Sequence, residues 1–111
     1  MNENGSRGGF KTRTYYTGYV NHMIWFYLST PESLRLEGKK SCDAENWIAV
    51  QGVFHRLKED ERAKIERIYR HSHNVPSSVR AYCLETGEDE RKVWVLITRT
   101  AAMIARSRGL V

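Results

Sequence analysis

In segment after segment of this sequence, the apolar residues recur three and four positions apart. Trp47, Val50, Phe54 and Leu57 fall at i, i+3, i+7 and i+10. Ile65, Ile68 and Tyr69 keep the same spacing, as do Val93, Ile97, Ala101 and Ile104. An α-helix turns once every 3.6 residues, so each set forms one stripe that needs another helix to cover it. A chain of 111 residues has the size of one domain, with little left over for a second core. The expectation is an all-α protein: a single compact domain of about five helices.

The punctuation between the stripes predicts where those helices lie. Residues 1–13 hold Gly5, Gly8 and Gly9 among Arg7, Lys11 and Arg13 and have no apolar period. They read as a flexible basic N-terminal tail, with residues 14–111 forming the helical domain. From Thr14 to Ser29, Tyr16, Val20, Met23, Ile24 and Tyr27 make a core stripe, and Tyr15, Tyr19 and Phe26 mark a second. Such a helix is either central to the fold or offers its second stripe to a partner, for example in a homodimer through the helix at 14–29. Thr30-Pro31-Glu32 suits the start of a short turn, and Arg35 to Ser41 reads as a basic loop.

Ser41 or Asp43 is the expected cap of the second helix, whose opposite face carries Gln51, His55 and Arg56. Glu59, Asp60 and Glu61 complement the positive end of a third. His71-Ser72-His73-Asn74 breaks the pattern, and Ser77 or Ser78 would cap a short fourth helix with Val79, Tyr82 and Cys83 inward. Gly87 is its expected left-handed terminator, and the last helix should run from about Glu88 to Arg108, closed by Gly109-Leu110 in the order of a Schellman cap.

Charge and cysteine usage narrow the function class. The formal charge is +5, which suits an anionic partner because lysine and arginine gain affinity by releasing counterions from phosphates. No stretch of about eighteen apolar residues occurs, and Met1 to Gly9 lacks the apolar core of a secretion signal, so neither membrane insertion nor secretion is expected. Cys42 and Cys83 are far apart and have no C-x-x-C spacing, which fits reduced thiols in the cytoplasm. No zinc pattern accommodates His71, His73 and His55 with the two cysteines. Gly8-Gly9 lacks the strand and lysine of a phosphate loop. Glu59-Asp60-Glu61 has no apolar surroundings to shift a carboxylate toward catalysis, and neither cysteine has a basic neighbour to activate it beyond Arg80 near Cys83. No enzyme active site, metal or cofactor is therefore expected.

Three helices follow Leu57: one of about a dozen residues, a short one ended by Gly87, and a longer one after a tight turn. That is the plan of a helix-turn-helix, spanning residues 57–111. The residues Leu57, Glu61-Arg62, Ile65, Tyr69, Val79, Leu84, Gly87, Val93 and Ala101 resemble the promoter-reading region 4 of bacterial sigma factors. They also resemble short phage and mobile-element regulators built on that module, including the ArpU-type transcriptional regulators. The resemblance covers about half the chain. The segments Tyr19 to Tyr27 and Ile104 to Leu110 are similar to small mobile-element proteins. It implies a regulator of transcription that binds double-stranded DNA with its last helix. Arg91, Thr98 and Arg99 would then reach base edges, while Lys58, Arg62, Arg80 and Lys92, together with Arg7, Lys11 and Arg13 of the tail, would contact phosphates.

One feature runs against DNA. Glu85, Glu88, Asp89 and Glu90 surround the turn where the reading helix would enter the groove, and uncompensated acids there repel phosphates. Two accounts are open. The acids cap and stabilise helix ends, or they form the binding surface of a different kind of protein, a small mobile-element inhibitor or adaptor of the anti-CRISPR type that engages a protein or nucleoprotein target.

Overall fold

The computed structural model describes residues 15–30 and 41–111. The expected basic tail with Arg7, Lys11 and Arg13, the turn after Pro31 and most of the expected basic loop lie outside the described residues. Five helices follow in order: α1 (Thr17–Ser29), α2 (Ser41–Arg56), α3 (Glu59–His71), α4 (Val75–Thr86) and α5 (Glu90–Ser107). Among the described residues there is no strand, and no helix is long and apolar enough to cross a membrane. The fold is a single all-α domain, as the periodicity predicts.

Its core forms where the stripes meet. α1 packs against α2, α3 and α5, while α5 also meets α2 and α4, and α3 meets α4. Val20, Met23 and Ile24 of α1 interlock with Val50, Val53 and Phe54 of α2, Ile65, Ile68 and Tyr69 of α3, and Val93, Ile97 and Ile104 of α5, all within one buried cluster. A closely packed interior of this kind makes each large side chain worth several kcal/mol against truncation, about 3–5 for a phenylalanine such as Phe54. The polar edges of the core aromatics are satisfied as well. Trp47 Nε1–H donates to the Thr30 carbonyl at 2.9 Å, Trp25 Nε1–H donates to the Tyr69 carbonyl at 3.1 Å, and the Tyr69 hydroxyl donates to Asn21 Oδ1 at 2.7 Å. Burial pushes the Tyr69 phenol well above its ordinary range.

α2 begins at Ser41 itself, with Asp43 inside its first turn, so neither stands ahead of it as the expected cap. The starts of α1, α4 and α5 also differ from the sequence expectation. α1 begins at Thr17, after a turn at Tyr15 and Tyr16, with no side chain capping it. α4 begins at Val75, before its proline, because a proline in the first turn gives up only an N–H that has no helical acceptor. Its cap is therefore neither Ser77 nor Ser78. Asn74 Oδ1 accepts from the Ser77 backbone N–H at 3.0 Å, and buried Ser78 instead hydrogen-bonds Ser72 Oγ at 2.8 Å. α5 begins at Glu90, two residues after the expected start, because Asp89 takes the cap and Glu88 turns away toward α3.

The expected helix ends are found. Gly87 sits at φ 79° and its N–H bonds to the Cys83 carbonyl, a left-handed stop that a side chain would strain. Gly109 sits at φ 78°. Its N–H meets the Arg106 carbonyl and the Leu110 N–H meets the Ala105 carbonyl, which is the paired closure of a Schellman motif.

Candidate nucleic-acid interface

The geometry of α5 starts at its cap. Asp89 Oδ1 accepts from the Arg91 backbone N–H at 3.0 Å, which orients the first turn. From there one side of the helix is buried through Val93, Trp94, Leu96, Ile97, Thr100, Ala101, Ile104 and Ala105. Successive residues advance by about 100°, so Arg91, Lys92, Val95, Thr98, Arg99 and Arg106 share the opposite side, and all six are exposed. Glu90 is the single carboxylate of this helix, and its position falls outside that stripe. The outer face of α5 is thus a basic strip, roughly 22 Å long from Arg91 to Arg106 at 1.5 Å per residue, with the exposed methyl groups of Val95 about one turn in from Arg91.

The structure brings together Arg91, Lys92, Thr98 and Arg99 as expected and adds Arg106. Counting in steps of three and four from Arg91 reaches Arg106 as well. Arg108, two residues on, turns away: its guanidinium binds Glu45 at 3.2 Å and Asn46 Oδ1 at 2.6 Å. Arg80 is exposed on α4, Lys58 is exposed immediately before α3, and Arg62 is half-buried in the first turns of α3.

Three of the four acids around the turn, Glu85, Glu88 and Asp89, are engaged within the chain. Glu88 Oε1 accepts from Lys64 Nζ at 2.7 Å, and its other oxygen accepts from the Tyr82 hydroxyl at 2.6 Å. Lys64 holds the Glu88 carboxyl below the ordinary carboxylate range, and the Tyr82 bond adds to it. Burial, with the Glu88 bond, pushes the Tyr82 phenol up to about 12. Glu85 pairs with Arg67, whose guanidinium lies 5.2 Å from the centre of the Tyr82 ring. Asp89 is the α5 cap, and Glu90 stands in the first turn. The expectation of an unbalanced acidic surface at this turn is corrected for Glu85 and Glu88: α3 supplies a cation to each. These partners lie 18 and 24 residues away in the chain, beyond the reach of local pattern.

A further contact links α3 to α5. Glu61 Oε2 accepts from the Arg99 guanidinium at 2.9 Å, and Glu61 Oε1 accepts from the Lys58 backbone N–H at 3.2 Å. The Arg99 bond, then the Lys58 bond, lowers the Glu61 carboxyl below its ordinary value.

Burial pushes the Cys83 thiol up, and the fields of Glu90, Glu88 and Asp89 push it further, which suppresses the thiolate a nucleophile needs. The His73 ring stacks on Trp25 at 4.3 Å, with His22 edge-on to the same indole at 5.6 Å. Among the described residues, no three His, Cys, Asp or Glu side chains converge as a metal site would require. Compared with protein-family models, with curated proteins and with solved structures, the chain finds no match in any of the three.

Proposed function

We propose that this protein is a non-enzymatic DNA-binding regulator of the phage or mobile-element type, which presents the outer face of α5 to the major groove of duplex DNA. The observation that carries this reading is the basic strip of Arg91, Lys92, Arg99 and Arg106, beside which Glu85, Glu88 and Glu61 are paired with the chain's own cations. Arginine forks suit guanine O6 and N7, and an apolar group such as Val95 suits the thymine methyl. Lys92, Lys58, Arg62 and Arg80 would face phosphates, with Arg7, Lys11 and Arg13 reaching the backbone from the N-terminal side. The dimer expectation stays with this reading: the second aromatic stripe of the 14–29 segment, where Tyr15 and Tyr19 are 80% and 44% exposed, is the face that would join a second copy and bring a second α5 to a second half-site.

The test is a fluorescence-anisotropy titration against random and GC-rich duplexes at several salt concentrations. The expected result is an affinity that falls steeply as salt rises, with log K losing about 0.9 per log unit of salt for each phosphate neutralised. Affinity that is absent at low salt, or indifferent to salt, overturns the reading.

One observation favours the second reading, an inhibitor or adaptor that binds a protein or nucleoprotein target. Leu84 is 81% exposed on α4, next in sequence to Glu85 and close to Glu88, Asp89 and Glu90. Leu84→Asp with Glu90→Lys spares the internal ion pairs. Loss of biological function with unchanged duplex binding would decide for the protein target.

A further inference from the structure

Resting on the DNA-binding reading, we propose that Glu61 is a positioning residue: from the start of α3 it fixes the Arg99 guanidinium on the outer face of α5, leaving the exposed edge of the fork to pair with guanine. Three observations meet in this carboxylate. One oxygen is anchored by the Lys58 backbone N–H and the other holds Arg99, 38 residues further along the chain. The Glu61 side chain is only 23% exposed while that of Arg99 is 52% exposed, so the guanidinium is held through one nitrogen by a half-buried carboxylate while about half of its side chain stays open to solvent.

Most exposed ion pairs are weak because two long side chains must be immobilised together. Here one partner is already fixed by the helix start, so the pair orders the arginine at smaller entropic cost. A guanidinium offers five N–H donors in a planar fork, which leaves donors for a second acceptor once Glu61 has taken its share. The carboxylate also offsets the arginine's charge. Arg99 is thereby less attracted to a phosphate, where any cation serves, and is kept for a base edge, where the fork geometry matters. This divides the strip: Arg99 reads, while Lys92 grips the backbone.

The wild-type chain, Glu61→Gln, Arg99→Ala and the double variant are each used to select from a duplex library with a randomised core. Each is also titrated against unselected duplex. Glutamine at this helix position still accepts the Lys58 N–H, so Glu61→Gln separates the grip on Arg99 from the helix start, and a thermal melt checks that the fold is kept. We expect the wild type to prefer guanine at one position of its selected site. Glu61→Gln should lose about tenfold of that preference, the scale of one bidentate base contact, while its affinity for unselected duplex is equal or higher. Adding Arg99→Ala to Glu61→Gln should cost no further preference. If Glu61→Gln selects the wild-type sequences, or weakens selected and unselected duplexes equally, the positioning role is overturned and the DNA-binding reading stands. If the wild type binds no duplex at low salt, that reading fails and takes the positioning role with it.

Discussion

α1 and α5 are both central helices, and they are built in opposite ways. The segment of α1 contains no Asp, Glu, Lys or Arg. Three of its polar side chains bond to neighbouring helices: Asn21 accepts from the Tyr69 hydroxyl, Trp25 reaches the Tyr69 carbonyl, and the Tyr19 hydroxyl accepts from Asn46 Nδ2 at 2.9 Å. The second aromatic stripe, read as core or partner face, is thus tied partly into the fold, and the Tyr15 hydroxyl donates to the Leu110 carbonyl. α5 instead keeps its apolar residues on one side and its charges on the other. A helix that spends its polar groups on neighbours serves the architecture, whereas one that leaves a charged strip outside has something to offer a partner.

The largest effects should be common to both helices. Ile24 and Ile104 are fully buried, and replacing either with alanine should cost about 2–5 kcal/mol in urea unfolding. A silent Ile24→Ala would break the claim that α1 is central. On polar residues the two helices should part. Asn21→Ala leaves the Tyr69 hydroxyl without its acceptor and should cost about 1–3 kcal/mol of stability, with no change in duplex affinity. Arg91→Ala or Arg99→Ala should leave unfolding within about 1 kcal/mol of wild type, the scale of a surface ion pair, yet cost about 1–3 kcal/mol in discrimination between duplexes. If the two substitutions exchanged their effects, the comparison would be inverted.

Asp89→Ala removes the α5 cap and should lower stability by about 1 kcal/mol, visible as a lower melting temperature. The smallest effect is on pH. The folded Glu88 carboxyl is held below its ordinary 4.5 by Lys64 and Tyr82. The stability it contributes is therefore present above that value and is lost as pH falls through the lower folded one. Glu88→Gln should flatten this acid limb of the stability curve, and an unchanged limb would mean that the ion pair does not hold in solution.

The helices of this fold were legible because their signals are local. Apolar stripes, the acids opening α3, Gly87 and Gly109 all act within a few residues of where they stand. The start of α4 was misplaced because two serines after a proline look like a cap, while the asparagine two residues before it does the work. The outer face of α5 can be counted out by period, which puts Arg91, Lys92, Thr98 and Arg99 on the side that the structure leaves exposed. What the acids do could not be counted. Lys64 with Glu88, Arg67 with Glu85 and Arg99 with Glu61 meet only because helices pack, and no spacing in the chain announces which cation meets which carboxylate.

The short turn into α5 carries a consequence for the thermodynamics of recognition. Gly87 is locked by its bond to Cys83, Glu88 is held by Lys64 and Tyr82 and takes a further bond from its N–H to the Thr86 hydroxyl, and Asp89 caps the helix it introduces. Every residue of the turn is restrained before anything arrives. A partner of α5 therefore meets a surface whose shape is already set, and association forfeits little backbone entropy at this corner. Calorimetry on such a complex should find the ordering penalty elsewhere, in the long cationic side chains of the strip.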